Sequence, residues 1–310
     1  MNRRAFVTTV TAGYAGMYTA CGTPGDTRLQ AMVTILPLRY FVERVGGGRV
    51  RVTVLAGPGQ NPATYEPLPR QLLELTTADV LFRTGVPFEE ALVPRLAENA
   101  PGLTVVDLRN GIELYPMDTL ATIGELHDDG HAHGHDGAQE SHDHTGHDPH
   151  IWLSPALVRV QAATIRDALI AADPHHEAEY RENWAAFDHD LAAESDEIRA
   201  MTGQLENPAM LVFHPAWGYF AREFGLRQIP IEIEGREPGP RELAAVIDYA
   251  RNRHIRVVFV QAQFSTASAE AIARAIDGTV VAIDPLSDDY LNNLRRIAEA
   301  ITDALGKDMP

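Results

Sequence analysis

The chain has one cysteine, Cys21, in 310 residues. No internal disulfide can form, so burial and hydrogen bonding must hold the fold. Positive charge is scarce as well: 26 Lys and Arg stand against 43 Asp and Glu, for a formal charge of -17. Such a surface repels phosphate backbones and anionic lipid headgroups, which argues against nucleic acid as a partner. Long hydrophobic runs are missing too. The uncharged stretch before the cysteine, 5–20, is rich in Thr, Gly and Ala and falls short of the roughly 20 apolar residues that a membrane-spanning helix needs. Finally, there is no internal sequence repeat and no His-Glu-x-x-His pattern, the helix signature of zinc peptidases.

Apolar residues make up 45% of the chain, enough for two medium domains or one large one. The opening "MNRRAFVTTVTAGYAGMYTACG" has a basic head at Arg3 and Arg4, an uncharged middle, and then Cys21. It resembles an export signal, so residues 1–20 stand outside the fold. The tetrapeptide Tyr18-Thr19-Ala20-Cys21 resembles a bacterial lipoprotein box, with Tyr18 in place of the usual Leu. There the cysteine is lipidated and becomes the new N-terminus, which makes 21–28 a lipidated tether. "NRRAFV" also resembles a twin-arginine export motif, with the general secretory route left open.

Beyond the signal, apolar runs of strand length alternate with amphipathic helical segments. Strands are predicted over 31–36, 50–56, 79–82 and 103–108, and again over 209–214, 228–233, 257–261 and 279–284. Helical patterns lie between them, at 87–98, 241–253 and 267–276. Strand, helix, strand repeated in both halves predicts an α/β fold of two lobes with mainly parallel sheets. The stretch 174–201 differs: Pro174 at its first turn, no internal Gly, and Tyr180, Trp184, Phe187, Leu191 and Ile198 at helical spacing. One long helix over 174–203 is therefore predicted to join an N-terminal lobe, 29–173, to a C-terminal lobe, 204–310. It is a stiff spine, not a flexible linker.

Histidine is concentrated in one place. "HDDGHAHGHDGAQESHDHTGHDPHIWLSP", from His127 to Pro155, carries eight of the chain's thirteen. Such a composition cannot bury enough apolar surface to offset its ordering entropy and predicts a solvated polar loop over 127–147. Neutral imidazole is nonetheless the commonest metal ligand, so this loop should collect Zn²⁺, Cu²⁺ or Ni²⁺. The more selective features lie at strand ends, where ligands bind in open α/β sheets. His214 closes the strand "AMLVFH", Asp284 closes "TVVAID", and His150 stands in "DPHIWLSP" just before a helix starting near Pro155. A lone histidine at a strand end is ordinarily a satisfied polar residue. Three ligand-type residues at such positions could converge on a cleft between the lobes.

Four segments, "VTVLAGPGQNPATYEPLPRQL", "DPHIWLSP", "FHPAWGYFAREFGL" and "VAIDPL", occur in an order that resembles the zinc and manganese solute-binding proteins of bacterial ABC importers. The resemblance spans nearly the whole mature chain. It implies two α/β lobes bridged by one long backbone helix, with the metal site in the inter-lobe cleft. It also implies that His150, His214 and Asp284 bind the metal, and that the His-rich loop marks the zinc-transporting type. One position departs: where the family usually has Pro-His-x-Tyr-Glu, this chain reads Pro62-Ala63-Thr64-Tyr65-Glu66. Alanine cannot ligate a metal, so a fourth ligand is missing. Auxiliary donors to fill that corner are His127, His131, His133, His135, His142, His144, His147 and Glu66.

A His, His, Asp set is richer in nitrogen than a manganese site and favours Zn²⁺ by ligand softness. Three protein ligands with an open corner is also the pattern of a catalytic zinc, but Glu66 alone does not make an active site, and the chain is read as no enzyme. The expected function is high-affinity capture of Zn²⁺ outside the cytoplasm and delivery to an ABC importer permease. The protein is expected to be a monomer held at the outer face of the cytoplasmic membrane, or in the periplasm, by lipid on Cys21. The alternatives are an envelope zinc buffer or metallochaperone that uses the His-rich loop, and a manganese-binding importer component. His175, His176, His189 and His254 read as solvated surface without a role.

Overall fold

A computed structural model describes residues 28–117, 146–232, 236–261, 263 and 266–306. The first lobe holds four parallel strands, β1 Leu29–Ile35, β2 Val50–Ala56, β3 Val80–Arg83 and β4 Thr104–Asp107, in the order β2-β1-β3-β4. The second holds β5 Ala209–Val212, β6 Arg227–Pro230, β7 Val257–Val260 and β8 Thr279–Ala282, in the order β6-β5-β7-β8. Both sheets thus share one winding although their sequences show no repeat. All eight predicted strands are present. The first stops at Ile35 because Leu36 and Pro37 already open helix α1, Leu36–Gly46; a proline suits a first helical turn, where its missing N–H would have no partner.

The central strands β5 (AMLV) and β7 (VVFV) are buried at every position, as expected of parallel strands covered on both faces. Side chains alternate across them with period two. Ala209, Leu211 and Phe213 join Ile229, Val258, Val246 and Ile272 in an outer apolar layer under helices α7, Pro240–Asn252, and α8, Thr266–Ala275. Met210 and Val212 face the other way, into the main core.

That main core runs through both lobes. It includes Phe41 of α1, Trp152, Phe187, Trp217 and, from helix α9 (Tyr290–Gly306), Tyr290 and Leu294. Its centre is an aromatic cluster in which the Tyr290 ring meets Phe41 edge-on at 4.7 Å and Phe187 meets Tyr40 at 5.8 Å. Phe187 belongs to the long helix α5, Glu177–Thr202, whose 26 residues span about 39 Å. Pro174 opens a 3₁₀ turn, Pro174–His176, rather than the helix itself. Tyr180, Phe187, Leu191 and Ile198 are buried as the spacing predicts, while Trp184 is half-buried beneath the Arg166 guanidinium, 4.2 Å from its ring centre. α5 packs against α1, against α4 (Pro155–Ala172) and against α9, so one helix touches elements of both lobes. No helix among the described residues is long and apolar enough to cross a membrane.

Candidate metal centre

The C-terminal ends of the second sheet's strands gather the polar residues. Past β5 come Phe213 and His214; past β6, Ile231 and Glu232; past β7, Gln261; past β8, Ile283 and Asp284. Parallel register continues just beyond the strands: the Ile231 N–H donates to the Val212 carbonyl and the Glu232 N–H to the Phe213 carbonyl. This places the Glu232 carboxylate beside His214, with Oε2 2.6 Å from Nδ1. Gln261, buried at the end of β7, grips the His214 backbone from the other side. Its Nε2 donates to the His214 carbonyl at 2.8 Å and its Oε1 accepts from the His214 N–H at 3.3 Å.

His150 is built in the same way from a different stretch. It precedes a 3₁₀ turn, Ile151–Leu153, whose close is the N-cap Ser154 of α4. Asp148, two residues earlier and almost fully buried, accepts at Oδ1 from the His150 N–H at 2.9 Å and lies 2.6 Å from Nδ1. A carboxylate at Nδ1 fixes the proton there and sets the lone pair at Nε2, the arrangement by which a second shell orients a metal-binding imidazole. The two rings meet edge-on, with centroids 5.3 Å apart and planes at 73°. Burial pushes His214 below the ordinary imidazole value, with Glu232 opposing the shift and His150 adding to it. The ring is thereby kept in the neutral form that coordinates metal.

His150 and His214 line one cavity between the lobes, partly open to solvent, with Asn61, Pro62, Ala63, Val86 and Pro87 forming its N-terminal wall. Asp284 stands at the rim: its neighbours Pro285 and Leu286 line the cavity, while its own Oδ1 accepts from the Leu286 N–H at 2.9 Å and from Gln263 Nε2 at 3.3 Å. Among the described residues no three His, Cys, Asp or Glu side chains are gathered closely enough to hold a metal together. The structure therefore pairs two of the three expected ligands and leaves Asp284 beside them, engaged by Gln263.

Ala63 lines the cavity, its N–H donated to Asn61 Oδ1 at 2.9 Å in an Asx turn. The position expected to supply a fourth ligand thus presents only a methyl group to the cavity. Glu66 is exposed and does not line the cavity; the neighbouring Tyr65 turns inward and donates to Gln71 Oε1 at 2.5 Å. His147 is exposed too, paired with Pro116 in an antiparallel bridge, and is not among the lining residues. His127, His131, His133, His135, His142, His144 and Cys21 lie outside the described residues.

Sequence reasoning passed over Asp148, Glu232 and Gln261. An acid two residues before a histidine was the available signal for Asp148. Glu232 and Gln261 are 18 and 47 residues from His214 and meet it only through sheet register. The donor set suits zinc: two imidazoles, each braced by a carboxylate, with a third carboxylate at the rim.

The model of the family "Zinc-uptake complex component A periplasmic" matches residues 32–304. A high-affinity zinc uptake system protein, ZnuA, of Yersinia pestis is 27% identical over 297 residues, covering 91% of this chain and 93% of the relative. The crystal structure of a ZnuA superposes with a TM-score of 0.78 at 38% identity, covering 90% of this chain and 99% of that one. A ZnuA deletion mutant with zinc bound superposes equally well, at 37% identity over 90% of this chain and 98% of the other.

Proposed function

The chain belongs to the family of periplasmic zinc-uptake complex components, and from that premise we propose that it captures Zn²⁺ between its lobes through His150, His214 and Asp284. The loaded protein then hands the ion to the permease of an ABC importer. No bond is made or broken beyond coordination, so the chemistry is capture and release, not catalysis. The observation that carries the ligand assignment is the adjacent histidine pair, 5.3 Å between ring centres, each Nδ1 held by its own carboxylate at 2.6 Å. With Nδ1 engaged by a carboxylate, each ring is oriented so that Nε2 is the atom it would present to a shared ion.

Asp284 is the third ligand in this reading. The bonds from the Leu286 N–H at 2.9 Å and from Gln263 at 3.3 Å both fall on Oδ1 and orient the carboxylate, so that Oδ2 is the atom proposed to meet the ion. Zinc is favoured over manganese because two of the three donors are nitrogen. Cys21 is proposed to carry lipid and to hold a monomeric protein at the outer face of the cytoplasmic membrane, the motive being the signal-like start that ends at the only cysteine.

Calorimetry of the mature protein tests the assignment. One Zn²⁺ should bind far more tightly than any further ion and should outcompete Mn²⁺, and His214→Ala should abolish that event. Survival of the tight event in the variant would show that the ion binds elsewhere.

A further inference from the structure

The residues that carry His150 are fastened to the second lobe at four points. The Tyr219 hydroxyl donates to the Asp148 carbonyl at 3.2 Å, and Trp152 Nε1 donates to the Pro285 carbonyl at 2.8 Å. The Tyr290 hydroxyl donates to the Trp152 carbonyl at 2.8 Å. The fourth point is Glu223, on helix α6, Gly218–Phe224, which begins four residues after His214. Its Oε2 accepts from the Ser154 hydroxyl and, at 3.3 Å, from the Ala156 N–H, while its Oε1 accepts from Ser195 on α5 at 2.8 Å.

Glu223 is thus an anion at the N-terminus of α4, where unpaired N–H groups and the helix dipole favour negative charge. It ties the chain four residues after His150 to the helix that follows His214. Between Ser154 and His150 lies one tight turn, held by the Leu153 N–H to His150 carbonyl bond at 3.2 Å and the Ser154 N–H to Ile151 carbonyl bond at 3.3 Å. Little slack separates the anchor from the ring.

We infer that Glu223 is a positioning residue for zinc capture: it locks the His150 segment to the second lobe, so that His150 and His214 form a prebuilt pair on one body. This rests on the proposed ligand role of His150. Chain order puts His150 with the first lobe, yet the side-chain bonds that tie 148–154 to other parts of the chain, as described above, reach the second. With Ala63 in place of a ligand, the first lobe then supplies only a wall of the cavity. Zinc affinity comes from the rigid pair rather than from drawing two lobes together, because a prebuilt pair spares the ion the cost of ordering its own ligands.

The test is a double-mutant cycle read by zinc titration of the full mature protein, with thermal unfolding recorded alongside. Glu223→Ala should weaken Zn²⁺ binding about tenfold, and Glu223→Gln, which keeps an acceptor oxygen, should restore most of the loss. In a His150→Ala background the Glu223→Ala effect should vanish, since Glu223 acts through that ring. Tyr219→Phe, which removes a different anchor while keeping the packing, should weaken zinc severalfold and keeps the test alive if Glu223→Ala does not fold. Unchanged affinity in both anchor variants would overturn the inference, as would an equal loss with and without His150. If His150→Ala itself leaves the tight event intact, the ligand assignment has failed first, and the two failures are told apart by that single variant.

Discussion

Burial holds His214 in its neutral form more strongly than Glu232 can draw it toward the charged one, and that balance sets how zinc capture responds to acid. In the unfolded chain the ring takes up a proton near pH 6.5; in the folded protein it does so only at lower pH. Between those two values the unfolded state binds more protons, so the zinc-free protein loses stability as pH falls through 6.5. The neutral ring meanwhile remains ready for metal. Zinc affinity should therefore hold as the pH drops to 6.5 and decline below it, as titrations across that range would reveal. Glu232→Gln removes the anion that braces Nδ1 and should cost about 10- to 100-fold in affinity, the usual loss when such a partner is taken away. Ala63→His has the opposite sense. Its side chain would enter the cavity from an Asx turn that is already formed. A fourth ligand should tighten zinc about tenfold or more, worth about 1.4 kcal/mol, measured by competition with a chelator of known affinity.

At the scale of elements, α5 is the member that both lobes share. Phe187 is fully buried at its middle, in contact with Tyr40 and Phe41 and covered by the Arg44 guanidinium, 4.8 Å from the ring centre. Phe187→Ala should cost about 3–5 kcal/mol and lower the melting temperature, and the unfolding should remain one transition, because α1, α4 and α9 all lean on this helix. Two separated transitions would mean that the lobes fold independently of their spine. These elements were legible in the sequence because they follow simple periods: β-branched runs of strand length, and apolar residues spaced for one helical face. Ligand candidates were legible for the same reason, since His214 and Asp284 follow apolar runs that end abruptly. The bracing groups were not. Glu232 and Gln261 look like ordinary polar residues until parallel pairing brings β6 and β7 to either side of β5. Nor could chain order reveal that the 148–154 stretch is bonded to Tyr219, Glu223, Pro285 and Tyr290 of the second lobe.

On the scale of the whole molecule, the His-rich tract and the cleft meet at one short join. The Met117 N–H donates to the Gly146 carbonyl at 3.4 Å and the Asp148 N–H to the Tyr115 carbonyl at 2.8 Å, so the two ends of the segment that holds most of the tract are clasped together. Tyr115 is itself held to the second lobe, its N–H donated to the Tyr219 hydroxyl at 3.1 Å and its ring under the Arg222 guanidinium at 4.1 Å. Every histidine from His127 to His144 is thus tethered within a short chain length of His150. A tether of that reach raises the local imidazole concentration to about millimolar or above. The expectation is that one of these rings takes the coordination corner at Ala63, exchanging with the others as zinc arrives. A deletion of 127–145 leaves the clasp at 115–117 and 146–148 intact, so its effect reports on donors and not on a broken frame. It should weaken the tight zinc event and remove the weaker ones, and adding Ala63→His to the deletion should recover most of the tight affinity. An unchanged tight event in the deletion variant would mean that solvent completes the site and that the tract serves only to collect ions.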